Sequence, residues 1–184
     1  MDSLLRLAVV LGISLPVFAV QAAEHVEHEV PVAQAGGSGP GEPTRRNWFG
    51  DPFLQLSKDI ADCPLPAGPF ITEAERRVQS HNRAERGTTC WLTGSCERPN
   101  FYRYDRDIAE ALRKSLSQAH PFANTTVWAT VQGRIVFIEG CVRDDRVAPR
   151  IEAFVAALPH VQRAVAIVYS DPASRPPYKL RFRP

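Results

Sequence analysis

Between Tyr104 and Tyr169 the apolar residues recur first at helical spacing, then at alternate positions, then at helical spacing and at alternate positions again. Ile108, Leu112 and Leu116, with Ala109 and Ala119 between them, make one face of a helix that Asp105 is placed to cap and Pro121 to end. Thr126 to Gln132 and Arg134 to Val142 alternate as two strands joined by a tight turn at Gly133. Gly140 brings no side chain to the second of them, which marks either a bulge or a close approach of a helix backbone. Asp144 or Asp145 opens a second helix with Val147, Ile151, Phe154, Val155 and Leu158 inward and Pro149 tolerated near its start; Val161 leads into a third strand, Arg163 to Tyr169. The order helix, strand, strand, helix, strand predicts an α+β domain over residues 104–170, a small sheet with helices on one face.

Strand parity extends the prediction to the other face of that sheet. With Val127, Ala129, Val131, Val136, Ile138 and Val142 toward the helices, Trp128, Ile135, Phe137, Cys141, Val165, Ile167 and Tyr169 point the opposite way. An apolar face of that extent requires a cover. The cover is either the preceding part of the chain, through Trp48, Phe49, Phe53, Leu56, Trp91 and Leu92, or a lipid or protein partner.

Residues 48–103 read as a cysteine-containing extension with two short helices. Asp51 before Pro52, with Phe53, Leu56 and Ile60 at helical spacing, predicts a helix to about Asp62, and Pro64, Pro66 and Pro69 then impose an extended crossing. Thr72 and Glu75 form a capping box for a mostly polar helix that closes at Gly87; His81 reads as a surface residue of it. Cys63, Cys90, Cys96 and Cys141 are an even set that allows three pairings and contains no C-x-x-C, so structural disulfides outweigh metal or redox roles. Cys90 and Cys96 bracket the turn formers Thr93, Gly94 and Ser95 and are the favoured local pair, which leaves Cys63 to reach Cys141.

Composition and charge then set limits on function. The chain has 184 residues, 44% hydrophobic, and a net charge of +2, so no global basic field argues for nucleic acid. Residues 1–22 resemble a secretory signal: Arg6 precedes an apolar run interrupted by Gly12 and Pro16, and small residues end it near Ala22. The run is shorter than the roughly 20 residues of a membrane span, so no transmembrane span is expected in the mature chain. Residues 23–47 carry Gly, Pro and charge and read as a flexible tether; His25 and His28 within it have nothing to hold a metal in one geometry, so no metal or other cofactor is expected.

The hairpin from Val127 to Val142, with Gly133 and Gly140, together with Asp105, Ile108 and the closing Pro159-His160-Val161-Gln162-Arg163-Ala164-Val165, resembles the BON domain, a family named for bacterial osmotically inducible and nodulation proteins. The resemblance covers roughly residues 104–170. Gln132 stands where the family has Asn, His160 where it has Gly, and Cys141 where it has a small polar residue. The resemblance implies a bacterial periplasmic or envelope module, the outer membrane included, that binds phospholipid or sits against membrane-associated partners, with no catalytic residues.

Residues 171–184 add a second candidate surface. Tyr178, Leu180 and Phe182 alternate with Lys179, Arg181 and Arg183, which predicts either an added edge strand with a basic outer side, suited to anionic headgroups, or a frayed tail. No Ser-His-Asp arrangement, paired carboxylates or phosphate-cradling Gly loop is present. The expected function is therefore a non-enzymatic envelope protein that binds phospholipid surfaces through Tyr178, Lys179, Arg181, Phe182 and Arg183. The alternative is an interaction or scaffold component of an envelope or secretion assembly. A thiol oxidoreductase, the third class considered, would need an accessible reactive cysteine.

Overall fold

The computed structural model describes residues 43–116, 121–171 and 173–181. The expected signal and all of the expected tether before Pro43 lie outside the described residues, as do Ala119, Phe182 and Arg183. Four strands, β1 (Phe53–Gln55), β2 (Thr125–Gln132), β3 (Ile135–Val142) and β4 (Arg163–Tyr169), form one mixed sheet in the order β1-β2-β3-β4. β1–β2 and β2–β3 are antiparallel and β3–β4 is parallel. The helices are α1 (Glu73–Gly87), α2 (Thr89–Leu92), α3 (Asp105–Ser115) and α4 (Ala148–Ala156). The molecule is thus a small α+β domain with two disulfides.

α3 and α4 cover one face of the sheet. Ile108, Leu112, Ile151 and Val155 meet Val127, Ala129, Val131, Val136 and Ile138 in a core closed to solvent. The agreement of a 3.6-residue period on the helices with a two-residue period on the strands seals this face. The hairpin between β2 and β3 turns through Gly133 (φ +62°) and Arg134 (φ +65°), the paired left-handed conformation of a two-residue loop. Gly140 is not a bulge: the β2–β3 register runs unbroken, with Gly140 opposite Val127. At φ +151° an added Cβ would lie 2.1 Å from the Thr126 carbonyl oxygen, so the close approach is by the neighbouring strand and not by a helix.

The extension differs from expectation at its start. Residues 51–62 hold no helix; Phe53–Gln55 instead adds β1 beside β2, with Leu54 opposite Ala129. Phe53, Leu56 and Ile60 fit a helical spacing, but Leu54 and Leu56 also fit a two-residue period, and both bury in the core under the helices. The open edge of β2 decides between the two patterns, because its backbone groups need partners: Val131 N–H donates to the Pro52 carbonyl at 3.0 Å and Leu56 N–H to the Val127 carbonyl at 2.9 Å. The two helices of the extension are accordingly α1, with its Thr72–Glu75 capping box formed, and the single turn α2. Pairing also begins inside the expected tether, where Arg46 and Ile71 exchange backbone hydrogen bonds of 2.9 and 3.0 Å.

The second face of the sheet is covered over β2 and Cys141 by this extension together with the carboxyl-terminal segment, and stays half-open along β4. Cys63 is joined to Cys141 and Cys90 to Cys96. Thr126 on β2 accepts from the Ile60 N–H (2.7 Å) and donates to the Ile60 carbonyl (2.9 Å), which fastens the segment leading to the long disulfide. Among the described residues of 171–184 the expected edge strand is not formed. Leu180 makes one antiparallel bridge with Pro66, and Tyr178 is buried on the second face, its ring 6.0 Å from that of Tyr169. Of the residues expected to provide the cover, Phe53 lies on this face by register and Leu56 in the opposite core. Trp91 and Leu92 remain 48% and 78% exposed on α2. Trp48 donates its Nε1–H to the Ile71 carbonyl, with the Arg46 and Arg76 guanidinium carbons each 5.5 Å from its ring.

Candidate functional site: clefts beside the long disulfide

Lys179 and Arg181, the described cations among those expected to meet headgroups, are engaged in holding the cover in place. Lys179 Nζ lies 3.3 Å from Glu75 Oε1, and the Arg181 guanidinium stacks against Phe70 (3.9 Å) and Phe53 (4.8 Å). Burial lowers the Arg181 pKa, and its Nε and Nη2 are buried without a hydrogen-bond partner. Tyr178 donates to the Pro64 carbonyl at 2.8 Å, and burial raises its pKa. Among the described residues, Lys179 alone of the proposed contacts presents an exposed charge.

A different part of the surface combines apolar walls with exposed cations. The segment carrying Ile60 and Pro64 stands beside the end of β3 and β4 and leaves a cleft of about 470 Å³ against the Cys63–Cys141 disulfide, Val142 and Tyr169. Arg143, the residue after β3, lines its rim and also lines an adjoining cleft of about 570 Å³ with Arg146, Arg150, Asp144, Asn124 and Thr125. The chain places these cations by a simple local device. Asp144 accepts from the Arg146 N–H at 3.0 Å, starting a turn that feeds α4, and the turn sets Arg143 and Arg146 on either side of it with Arg150 in the first turn of the helix. Arg146 is paired with Asp144, whose pKa its guanidinium lowers through a hydrogen bond and charge attraction. Arg143 and Arg150 are exposed and make no ion pair among the described residues.

One buried carboxylate and one half-buried one lie elsewhere. Asp105 does not cap α3 from outside. It is the first residue of α3, and its Oδ2 and Oδ1 accept from Gly133 N–H (2.7 Å) and Arg134 N–H (2.8 Å), so it holds the hairpin turn. Burial raises its pKa to about 6, against the opposing pull of those two N–H groups. Glu139 lies on the second face between Trp128 and Ile167 on the flanking strands, and burial raises its pKa to about 7. Parity placed position 139 on that face, but a carboxylate in an apolar row gave no sign of its role. A third carboxylate, Asp51, is paired with Arg83, which lies between the rings of Phe49 (3.9 Å) and Tyr102 (4.4 Å).

The chain matches no family model, no curated protein and no solved structure. Among the described residues no helix is long and apolar enough to cross a membrane, and no three His, Cys, Asp or Glu side chains are grouped to hold a metal ion.

Proposed function

We propose that this protein is a non-enzymatic, BON-like module of the bacterial cell envelope that binds phospholipid. The observation that carries the reading is the meeting of two clefts at Arg143, one walled by apolar side chains and the disulfide, the other lined by Arg146 and Arg150. An amphiphile with an anionic head and an apolar body has the same two-part character: guanidinium groups suit phosphate oxygens, and an apolar wall suits the glycerol and upper acyl region. The pairing of all four cysteines supports placement in an oxidising compartment, as does the signal-like stretch 1–22. The reading moves the contact from Lys179 and Arg181 to Arg143 and Arg150. Sedimentation with phosphatidylglycerol vesicles, with phosphatidylcholine vesicles alongside, checks it. Retention on the anionic vesicles that Arg143→Glu with Arg150→Glu reduces at least about tenfold, a loss of roughly 1.4 kcal/mol, is the expected result. Equal retention on both vesicle types, or none, overturns it.

The alternative, an interaction component of an envelope assembly, has one observation of its own. The outer edge of β4 has no strand partner among the described residues, and of its outward N–H groups that of Ala166 is occupied by Glu152 Oε1 at 2.8 Å. Such an edge can accept a partner's strand. Crosslinking in intact cells that yields one dominant protein adduct favours this reading over lipid binding.

A further inference from the structure

Thr126 and Thr130 occupy the same face of β2 and have opposite fates. Thr126 is satisfied twice by Ile60, whereas Thr130, only 6% exposed, buries its Oγ1 with no hydrogen-bond partner at all. A buried hydroxyl left unpaired costs on the order of 1–3 kcal/mol, so the position calls for an occupant. Thr130 lines a cavity of about 110 Å³ between the second face of the sheet and the segment around Gly68 and Ile71. Glu139 lines it too, and its carboxylate has neither a hydrogen bond nor an ion pair among the described residues.

We infer that this cavity is a binding site for a small primary ammonium. The groups that meet there include the Glu139 carboxylate, the Thr130 hydroxyl and the side-chain amides of Gln132 and Gln79, the Gln79 Oε1 already accepting from Gln132 Nε2 at 3.5 Å. Gln132 donates its Nε2–H to Asp51 Oδ2 at 2.9 Å, which leaves its Oε1 to accept. Phe137, two residues before Glu139 on the same face, adds an aromatic ring to the wall. One carboxylate, one ring and neutral oxygens suit a singly charged cation carrying several N–H donors. An anion would face Glu139, and a divalent ion would find a single charged ligand where it takes several. Size sets the remaining limit. At about 30 Å³ per water molecule the cavity holds three or four heavy atoms, the size of ethylammonium or propylammonium. Burial raises the Glu139 pKa to about 7, and an ammonium beside the carboxyl acts in the opposite direction by restoring the ionised form. The other titratable group that interacts with Glu139 is Tyr178, whose hydroxyl is committed to the Pro64 carbonyl.

The test follows the Glu139 carboxyl carbon by NMR as pH is varied, with and without ethylammonium, and with tetramethylammonium as a cation of equal charge that lacks N–H donors. Ethylammonium should lower the Glu139 midpoint saturably by about one unit, equivalent to a tenfold preference for the ionised carboxyl. Thr130→Val should weaken that response about tenfold, the loss of one hydrogen bond to a charged group. Glu139→Gln, which replaces a carboxyl by an amide of the same shape, should abolish ethylammonium binding as read on neighbouring amide resonances. No saturable response to ethylammonium, or an equal response to tetramethylammonium, overturns the assignment and leaves a cavity filled by water.

Discussion

The two faces of the sheet are built by different means. The face under α3 and α4 is sealed by apolar side chains, aliphatic at its centre with Ile108, Leu112, Val127, Ile138, Ile151 and Val155 at zero exposure, and joined by the rings of Tyr104 and Phe122. The other face is covered by irregular chain and carries the Cys63–Cys141 disulfide, a buried tyrosine, the stacked guanidinium of Arg181, an unpaired threonine hydroxyl and the Glu139 carboxylate. Regular elements can interdigitate along their whole length, so the first face needs no polar fastening. Segments rich in proline cannot, so the second face depends on point attachments and keeps cavities between them. Stability resides mainly on the first face, and the candidate for ligand chemistry lies on the second.

Loss of the long disulfide tests that division most severely. Cys63→Ser with Cys141→Ser opens a link spanning 78 residues and should cost about 4.5 kcal/mol in chemical denaturation on the loop-entropy account. Removing Cys90–Cys96, a separation of 6, should cost about 2 kcal/mol on the same account. If the two losses were equal, the cover would not depend on its long attachment. Next in size, Ile138→Ala on the helix face should cost about 3 kcal/mol, and Phe137→Ala on the half-open second face about half of that. The reverse order would break the comparison.

The pH dependence sharpens it further. Both Asp105, raised from 3.8 to about 6, and Glu139, raised from 4.5 to about 7, bind a proton more tightly in the folded chain than in the unfolded one. Their contribution is therefore full below the unfolded values and is lost as pH rises toward about 7, so denaturant midpoints should fall across that interval. Glu139→Gln should remove the upper part of this slope and raise stability by about 1–2 kcal/mol above the folded-state value, while changing little at the acid end. A wild-type midpoint that stays flat would count against burial of both groups. The smallest effect is expected at the rim of the extension: Trp91→Ser with Leu92→Ser should change stability by less than about 0.5 kcal/mol, because α2 covers neither face.

What the sequence discloses follows the same division. The helix face was legible because two periods, in Ile108–Leu112 and in Val127–Ala129–Val131, converge on one core. The long disulfide could also be read, since Cys141 falls by parity on a face that needs a cover. β1 could not, because three residues are too few to show a period and Phe53, Leu56 and Ile60 imitate a helix. The role of Asp105 rests on Gly133 and Arg134, 28 and 29 residues away, and no local pattern reports a contact at that distance. The clefts meeting at Arg143 escaped for a related reason: their walls come from residues near 60, 124, 143 and 169, which only the fold brings together.

The two disulfides also set an order in time. Cys90 and Cys96 are close in any conformation of the chain, and their bond can form while the rest is still unfolded. Cys63 meets Cys141 only when β3 is in place and the preceding segment has crossed it, a closure over 78 residues that an unstructured chain rarely makes. During oxidative refolding the first single-bridged species to accumulate should therefore hold Cys90–Cys96, with Cys63 and Cys141 open to alkylation. Appearance of the second bridge then serves as a chemical clock for completion of the covered sheet.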